Sequence, residues 1–240
     1  LAYEGILSLD KTLADYFPEL IGRLENADRI TLLMMVQHRS GIPNYTNTKN
    51  YWVQPKESDK ERLELVLDLP ASFEPDADFE YSNTNYLLLS ELIEKVTVKG
   101  KSQYIKEKIL DPLKLKNTYV SLRDVNLEDV MSGYYVGYEN DLKTDYNGVM
   151  LATAEDLGKF IRALNDGSVF TDKKEQEIYN SIYKYDHTGL IPGYQTIAKY
   201  HKEIDTVVIQ FTNTVDFEGL NWSLSEIMYS RIIKIIRNSD

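Results

Sequence analysis

The sequence predicts an α+β fold, with a mostly helical region over residues 1–165 and then, over 166–240, an antiparallel β-sheet covered by a C-terminal helix. Three observations lead to it. Apolar residues recur at helical spacing in the first region, as at Leu89, Leu92, Ile93 and Val96. After Gly167 two runs rich in β-branched and aromatic residues, Tyr194 to Tyr200 and Thr206 to Thr212, flank a polar turn and read as a hairpin. The chain then closes on an amphipathic stretch from Trp222 to Ile236.

In chain order, Thr31 is placed to cap a helix through Leu32-Leu33-Met34-Met35-Val36, with Gly41 as its C-terminal stop. Asn83 or Thr84 opens a second helix, the one that carries Leu89 to Val96. A third runs from about Ser102 to Leu110, where Asp111-Pro112 ends it. A fourth starts near Thr153, whose spacing to Asp156 resembles a capping box, and sets Leu157, Phe160, Ile161 and Leu164 on one face. The carboxylates Glu155 and Asp156 sit where a helix N-terminus favours negative charge. His201-Lys202-Glu203-Ile204-Asp205 is the turn of the hairpin, which leaves His201 solvated. In the last helix, Ile227, Ile232, Ile233 and Ile236 are expected to pack on the sheet.

Composition narrows the function classes. With 240 residues the chain is long enough for one substantial core or two subdomains that share one. The 38 acidic against 27 basic residues leave a formal charge of −11, which disfavours nucleic acid and anionic membrane as partners. Cysteine is absent, so disulfides and thiolate metal sites are excluded. No apolar run approaches the ~20 residues that span a bilayer. The chain starts at Leu1 with no turn or cap signal, so its start is expected to be a boundary within a longer protein.

Chemistry-bearing patterns are few. The three histidines, His38, His187 and His201, show no metal-ligand spacing, and neither a metal nor a cofactor is expected. Gly-x-Ser-x-Gly and Gly-rich phosphate loops are missing. Two stretches stand out: Phe79-Glu80-Tyr81-Ser82-Asn83-Thr84-Asn85-Tyr86, a polar turn running into an apolar helix, and Asp186-His187-Thr188-Gly189-Leu190-Ile191-Pro192-Gly193-Tyr194 at the entrance to the hairpin. Either alone reads as a turn or a cap.

Together and in this order they resemble the serine β-lactamase and penicillin-binding-protein superfamily, in its class C and esterase-like branch. Its signature is Ser-x-x-Lys, then Tyr-x-Asn or Ser-x-Asn, then Lys-Thr-Gly, with His often in place of that Lys. Tyr81-Ser82-Asn83 and His187-Thr188-Gly189 match the last two elements. Three further stretches resemble the family in order: Gly5 to Asp10 with Tyr16-Phe17-Pro18-Glu19, the loop Leu33 to Tyr45 containing His38-Arg39-Ser40-Gly41-Ile42-Pro43, and Asn147 to Leu157.

The resemblance implies a β-lactamase/transpeptidase-like fold, incomplete at the N-terminus, in which residues 1–165 and 166–240 form one catalytic domain. It implies acyl transfer through an acyl-enzyme on an amide, ester or lactam. Tyr81 would shuttle the proton, its phenol pKa lowered by a neighbouring lysine. Asn83 would hold that lysine and hydrogen-bond a substrate amide, and His187 would stand on the opposite wall. Thr188, Gly189 and Leu190 would bind substrate, the Leu190 N–H serving as an oxyanion-hole donor. Gly189 and Gly193 would let substrate approach the strand. His38 would be structural. The family resemblance favours a periplasmic, secreted or membrane-anchored location.

The nucleophile is the departure. Ser-x-x-Lys occurs at Ser8-Leu9-Asp10-Lys11 and Ser181-Ile182-Tyr183-Lys184, and neither has the order and apolar sequel of a nucleophile helix. The chain is therefore expected to be inactive by itself. At its exposed sheet edge it is expected to be incompletely folded, self-associated with another copy, or accompanied by a detached N-terminal fragment. The partner otherwise expected is a small-molecule or peptide substrate. The competing reading is a non-catalytic, peptidoglycan- or ligand-binding member of the same fold.

Overall fold

The computed structural model describes residues 1–240 apart from 53, 55, 98, 146–148, 183–186 and 239–240, with the backbone but not the side chain of His187. In chain order the helices are α1 (Leu13–Tyr16), α2 (Leu32–Val36), α3 (Asp59–Glu64), α4 (Asn83–Thr97), α5 (Lys101–Ile105), α6 (Ala154–Asp166), α7 (Lys173–Ile182) and α8 (Asn221–Arg237). The strands are β1 (Thr118–Tyr119), β2 (Tyr134–Tyr135), β3 (Leu151–Ala152), β4 (His187–Ile191), β5 (Tyr194–His201), β6 (Thr206–Thr212) and β7 (Thr214–Val215). By contacts the chain forms two compact units: Leu1–Ile105 with Asp172–Lys184, and Lys106–Thr171 with Tyr185–Asp240.

The first unit is built on a core of Leu13, Leu24, Ile30, Leu32, Met35, Leu88 and Leu92. Thr31 caps α2 as its position predicts, its Oγ1 accepting from Met34 N–H at 3.2 Å. The helix does not run to Gly41. It stops at Val36, and the residue that turns the chain is His38, at φ +57°. Gly41 serves a different need, since at φ +72° a Cβ there would lie 2.0 Å from the Phe73 carbonyl oxygen. In α4 the buried face runs through Thr84, Asn85, Leu88 and Leu92, with Leu89, Ile93 and Val96 only half-buried. Leu87 is buried as well, and Leu89 and Val96 pack against the same core, so the buried face is wider than the spacing predicts. The third expected helix appears as α5, followed by a π-helical turn over Lys106–Leu110. Helix α7 was not signalled by periodicity: it buries no residue, and its Lys-Lys-Glu-Gln-Glu start favours helix by propensity alone.

The second unit centres on the sheet β4-β5-β6, antiparallel throughout, with His187 opposite Ala198, Leu190 opposite Gln195 and Ala198 opposite Ile209. Successive residues of a strand point to opposite faces. Ile197 and Val208 meet Tyr229 and Ile233 of α8, while Ile209 packs near Gly158 of α6 on the other face. Both helices thus cover β5 and β6. Arg162 of α6 further clamps the hairpin turn through Asp205, at 3.1 Å to Oδ2.

Three expectations change here. Ile227 and Ile232 of α8 face outward, the former 49% exposed, and Ser225 and Tyr229 take the sheet-facing places. His201 is not solvated: its Nε2 lies 2.9 Å from the Tyr229 hydroxyl, which itself donates to Val208 O. Thr153 does cap α6, but the capping box is not closed. The Asp156 carboxylate, 1% exposed, instead accepts from Asn117 N–H at 2.7 Å and Thr118 Oγ1 at 3.2 Å, which ties the segment leading into β1 to α6.

Asp156→Ala leaves two donors without their acceptor and is expected to lower unfolding free energy by about 2–4 kcal/mol, read from the urea midpoint; a loss below about 0.5 kcal/mol contradicts the tie. His38 is buried, and burial holds its imidazole below the ordinary value of 6.5. The unfolded chain gains a proton as pH falls below 6.5 while the folded one resists it, so stability is lost on acidification. His38→Asn keeps a residue tolerant of positive φ but cannot titrate. Its melting temperature should fall less steeply than that of the unsubstituted chain between pH 6.5 and 5; parallel slopes contradict the assignment.

Candidate active site

Tyr81 and Asn83 lie on the segment that enters α4, and a loop from His38 to Thr46 holds that segment in place. Ser82 N–H donates to His38 Nδ1 at 3.2 Å, and Asn85 Nδ2 approaches the same nitrogen at 3.3 Å. Two donors on Nδ1 require it to be bare, so the neutral imidazole carries its proton on Nε2. The Ser40 hydroxyl donates to Asn85 Oδ1 at 2.8 Å, and the Thr84 hydroxyl donates to Pro43 O at 2.6 Å while accepting from Tyr45 N–H. These groups are buried, and the bonds between them cross to the facing segment, as a polar seam inside a core requires; the buried His38 Nε2 alone among them has no partner among the described residues.

The seam presents Tyr81. Its ring lies 4.3 Å from the His38 imidazole at 32°, with Tyr86 5.1 Å from the same imidazole, and the residue is 49% exposed. His38 is thus structural, as the sequence suggests, and its structural task includes bracing Tyr81. Asn83, the first residue of α4, donates from its backbone N–H to Asn44 Oδ1 at 3.1 Å and from its side-chain Nδ2 to Asn44 Oδ1 and Thr46 Oγ1, both at 3.3 Å. The structure therefore brings Tyr81 and Asn83 together on one turn. It also adds two residues that sequence reading missed, Asn44 and Thr46. Their only sequence signal was a polar pair after Pro43, which reads as an ordinary turn.

Tyr45 and Tyr51, whose ring centroids are 5.2 Å apart, are packed rather than displayed, and burial raises both phenols above their ordinary value. A cavity of about 530 Å³ in this unit, between residues 21–28 and 68–70, contains none of the candidate residues.

In the second unit, His187, Thr188, Gly189 and Leu190 are consecutive on β4. That strand pairs with β5 on one side and with no strand on the other among the described residues. Thr188, Gly189 and Leu190 are exposed; the His187 side chain lies outside the described residues. A Cβ on Gly189 would only touch Thr196 at 3.7 Å, so this glycine leaves its strand open. Gly193 has another purpose than the one expected. It turns the chain at φ +90°, and a Cβ there would meet Gly133 backbone at 3.3 Å and Leu142 at 3.4 Å, so what it admits is the protein's own loop. Tyr194 is equally structural: its hydroxyl donates to Met131 O at 2.6 Å, and burial pushes its pKa up to about 12.

Neither Ser-x-x-Lys match starts a helix. Ser8 sits in a turn with its N–H on the Tyr16 hydroxyl at 2.9 Å, and Ser181 lies at the end of α7 with its hydroxyl on Ile178 O at 2.7 Å. No group of three or more His, Cys, Asp or Glu that could hold a metal occurs among the described residues. No helix among them is long and apolar enough to cross a membrane.

Several known proteins are similar to this chain. A Bacillus subtilis (strain 168) protein named as penicillin-binding protein PbpX is 25% identical over 234 residues, covering 89% of this chain and 57% of its own length. A Salmonella agona protein named as a D-alanyl-D-alanine carboxypeptidase is 26% identical over 125 residues, 49% of this chain and 29% of its own length. The chain thus spans less than two thirds of either relative. Among solved structures, the D-amino acid amidase of Ochrobactrum anthropi SV3, complexed with D-phenylalanine, superposes with a TM-score of 0.83 at 22% identity over 100% of this chain and 80% of that one. A penicillin-binding protein of Bacillus halodurans superposes with a TM-score of 0.72 at 20% identity, over 89% and 76%. These two likenesses concern the fold. Residues 1–183 match the Beta-lactamase family profile, and with that match over most of its length the chain belongs to the beta-lactamase family.

Proposed function

We propose that this chain carries most of the site of a serine acyl hydrolase, which cleaves an amide, ester or lactam through an acyl-enzyme. The observation that carries the reading is the pairing of a half-exposed Tyr81, braced on His38, with an Asn83 anchored at the first turn of α4. Family membership supports it, as do relatives named for amidase and carboxypeptidase activity. In the first unit Tyr81 relays the nucleophile's proton to the leaving group, and Asn83 orients the lysine beside the serine. In the second, His187 binds the substrate's carboxylate or ester oxygen. Thr188 and Gly189 line the open edge of β4, and the Leu190 N–H polarises the scissile carbonyl. A histidine rather than a lysine at position 187 gives no permanent charge for a lactam carboxylate, which favours amides and esters.

The nucleophilic serine and its lysine partner lie outside these 240 residues in this reading, because neither Ser8 nor Ser181 opens a helix. The chain by itself then forms no acyl adduct, and the intact protein works outside the cytoplasm, where the relatives' peptide substrates would be met. The same missing nucleophile favours one rival, a family member that binds such ligands without cleaving them.

The deciding experiment treats the full-length protein with a fluorescent penicillin and a fluorophosphonate, then reads intact mass. An adduct on the full-length protein, none on the 240-residue chain, and an acylation rate reduced roughly 10²–10⁴-fold by Tyr81→Phe are expected. No adduct with either probe favours the binding module, and an adduct on Ser8 or Ser181 overturns the placement of the nucleophile.

A further inference from the structure

Asn44 is 8% exposed and stands on the loop between Pro43 and the 3-10 turn Tyr45–Asn47. Its Oδ1 accepts from three donors: Thr46 N–H at 3.2 Å, Asn83 N–H at 3.1 Å and Asn83 Nδ2 at 3.3 Å. The first two are backbone amides, and a backbone amide can only donate, so the Asn44 side chain cannot be flipped without setting its NH₂ against two N–H groups. With Asn44 so fixed, the nitrogen of Asn83 must be the atom that faces it. The second hydrogen on that nitrogen goes to Thr46 Oγ1 at 3.3 Å. Both amide hydrogens of Asn83 are then turned into the protein, and Oδ1 is the side-chain atom left for anything else.

We infer that Asn44, assisted by Thr46, is a positioning residue that locks the Asn83 amide so that it enters the site as an acceptor only. This rests on the reading of Asn83 as a site residue and sharpens it. A locked Asn83 receives an N–H, from a lysine ammonium or from an amide or amine nitrogen of the substrate. Both tasks that the family resemblance implies, holding a lysine and hydrogen-bonding a substrate amide, are then carried out through Oδ1, the second by way of the amide's N–H. The lock is set before any ligand arrives, so no rotamer freedom of Asn83 has to be lost at binding.

Asn44 also caps α4, and a merely structural role must be separated from positioning. Three variants do so. Asn44→Asp retains an oxygen for all three donors, at a helix N-terminus that favours a carboxylate. Thr46→Val removes only the second anchor and leaves the Asn44 cap on the Asn83 N–H. Asn44→Leu removes both functions. The first readout is hydrogen exchange of the Asn83 side-chain NH₂ by NMR in the 240-residue chain, with melting temperature in parallel. Protection is expected in the unsubstituted chain and in Asn44→Asp. It should drop roughly tenfold in Thr46→Val with little change in melting temperature, and vanish in Asn44→Leu. The second readout is the acylation rate of the full-length protein with the fluorophosphonate: close to the unsubstituted rate for Asn44→Asp, lowered roughly three- to tenfold for Thr46→Val and further for Asn44→Leu. An Asn83 NH₂ that exchanges freely in the unsubstituted chain overturns the lock. Thr46→Val that acylates at the unsubstituted rate overturns its part in the site. A full-length protein that is not acylated at all overturns the hydrolase reading, and the exchange measurement still decides the lock.

Discussion

The first turn of α4 takes its backbone acceptor from a side chain 39 residues earlier, Asn44 Oδ1 on the Asn83 N–H. A helix start leaves amide donors without partners, and burying them without acceptors costs more than most single contacts return. Here the cost is met by a second segment, the loop from His38 to Thr46. The same bonds fix that loop, because His38 Nδ1, Pro43 O and the Thr84 hydroxyl all find their partners across the seam. The positions of Tyr81 and Asn83, the exposure of the Tyr81 ring and the direction of the Asn83 amide depend on this arrangement. The conformation of His38 depends on it too, since a non-glycine residue at φ +57° persists only where surrounding contacts hold it.

Much of the fold can be read from sequence where the signal is local. Thr31 and Thr153 cap helices as their positions predict, and the Tyr194–Thr212 hairpin forms with the expected turn, because caps and alternation are short-range. The failures are of another kind. Asp156 abandons its capping box for Asn117 and Thr118, and Ile227 gives its place on the sheet to Ser225 and Tyr229. Those outcomes are set by partners far along the chain. The two-residue strands β1, β2, β3 and β7 are too short to show any alternation.

The candidate site divides along the same line. Tyr81 and Asn83 were legible because they sit in a polar turn that runs into an apolar helix, and because the family resemblance names that spacing. Asn44 and Thr46 were not, because nothing in Pro43-Asn44-Tyr45-Thr46 distinguishes an amide that anchors another amide from one that closes a turn. Gly193 shows the converse error: a glycine beside a motif invites a substrate-binding role, while its φ of +90° and the nearness of Gly133 show that the fold itself needs it. In chemical terms the first unit offers a phenol and an amide acceptor, and the second an open strand with exposed backbone. Groups of these kinds are ones that acyl transfer can use around a nucleophile.

The dependence of the site on the seam is tested most directly by native-state hydrogen exchange of the Ser82 and Asn83 backbone amides. If His38 and Asn44 are their acceptors, these two amides exchange only with the unfolding of the first unit, at rates comparable to Leu88 and Leu92 in the core. Exchange near the rate of an unstructured peptide, while Leu88 and Leu92 remain protected, would contradict the seam as the constraint that builds the site.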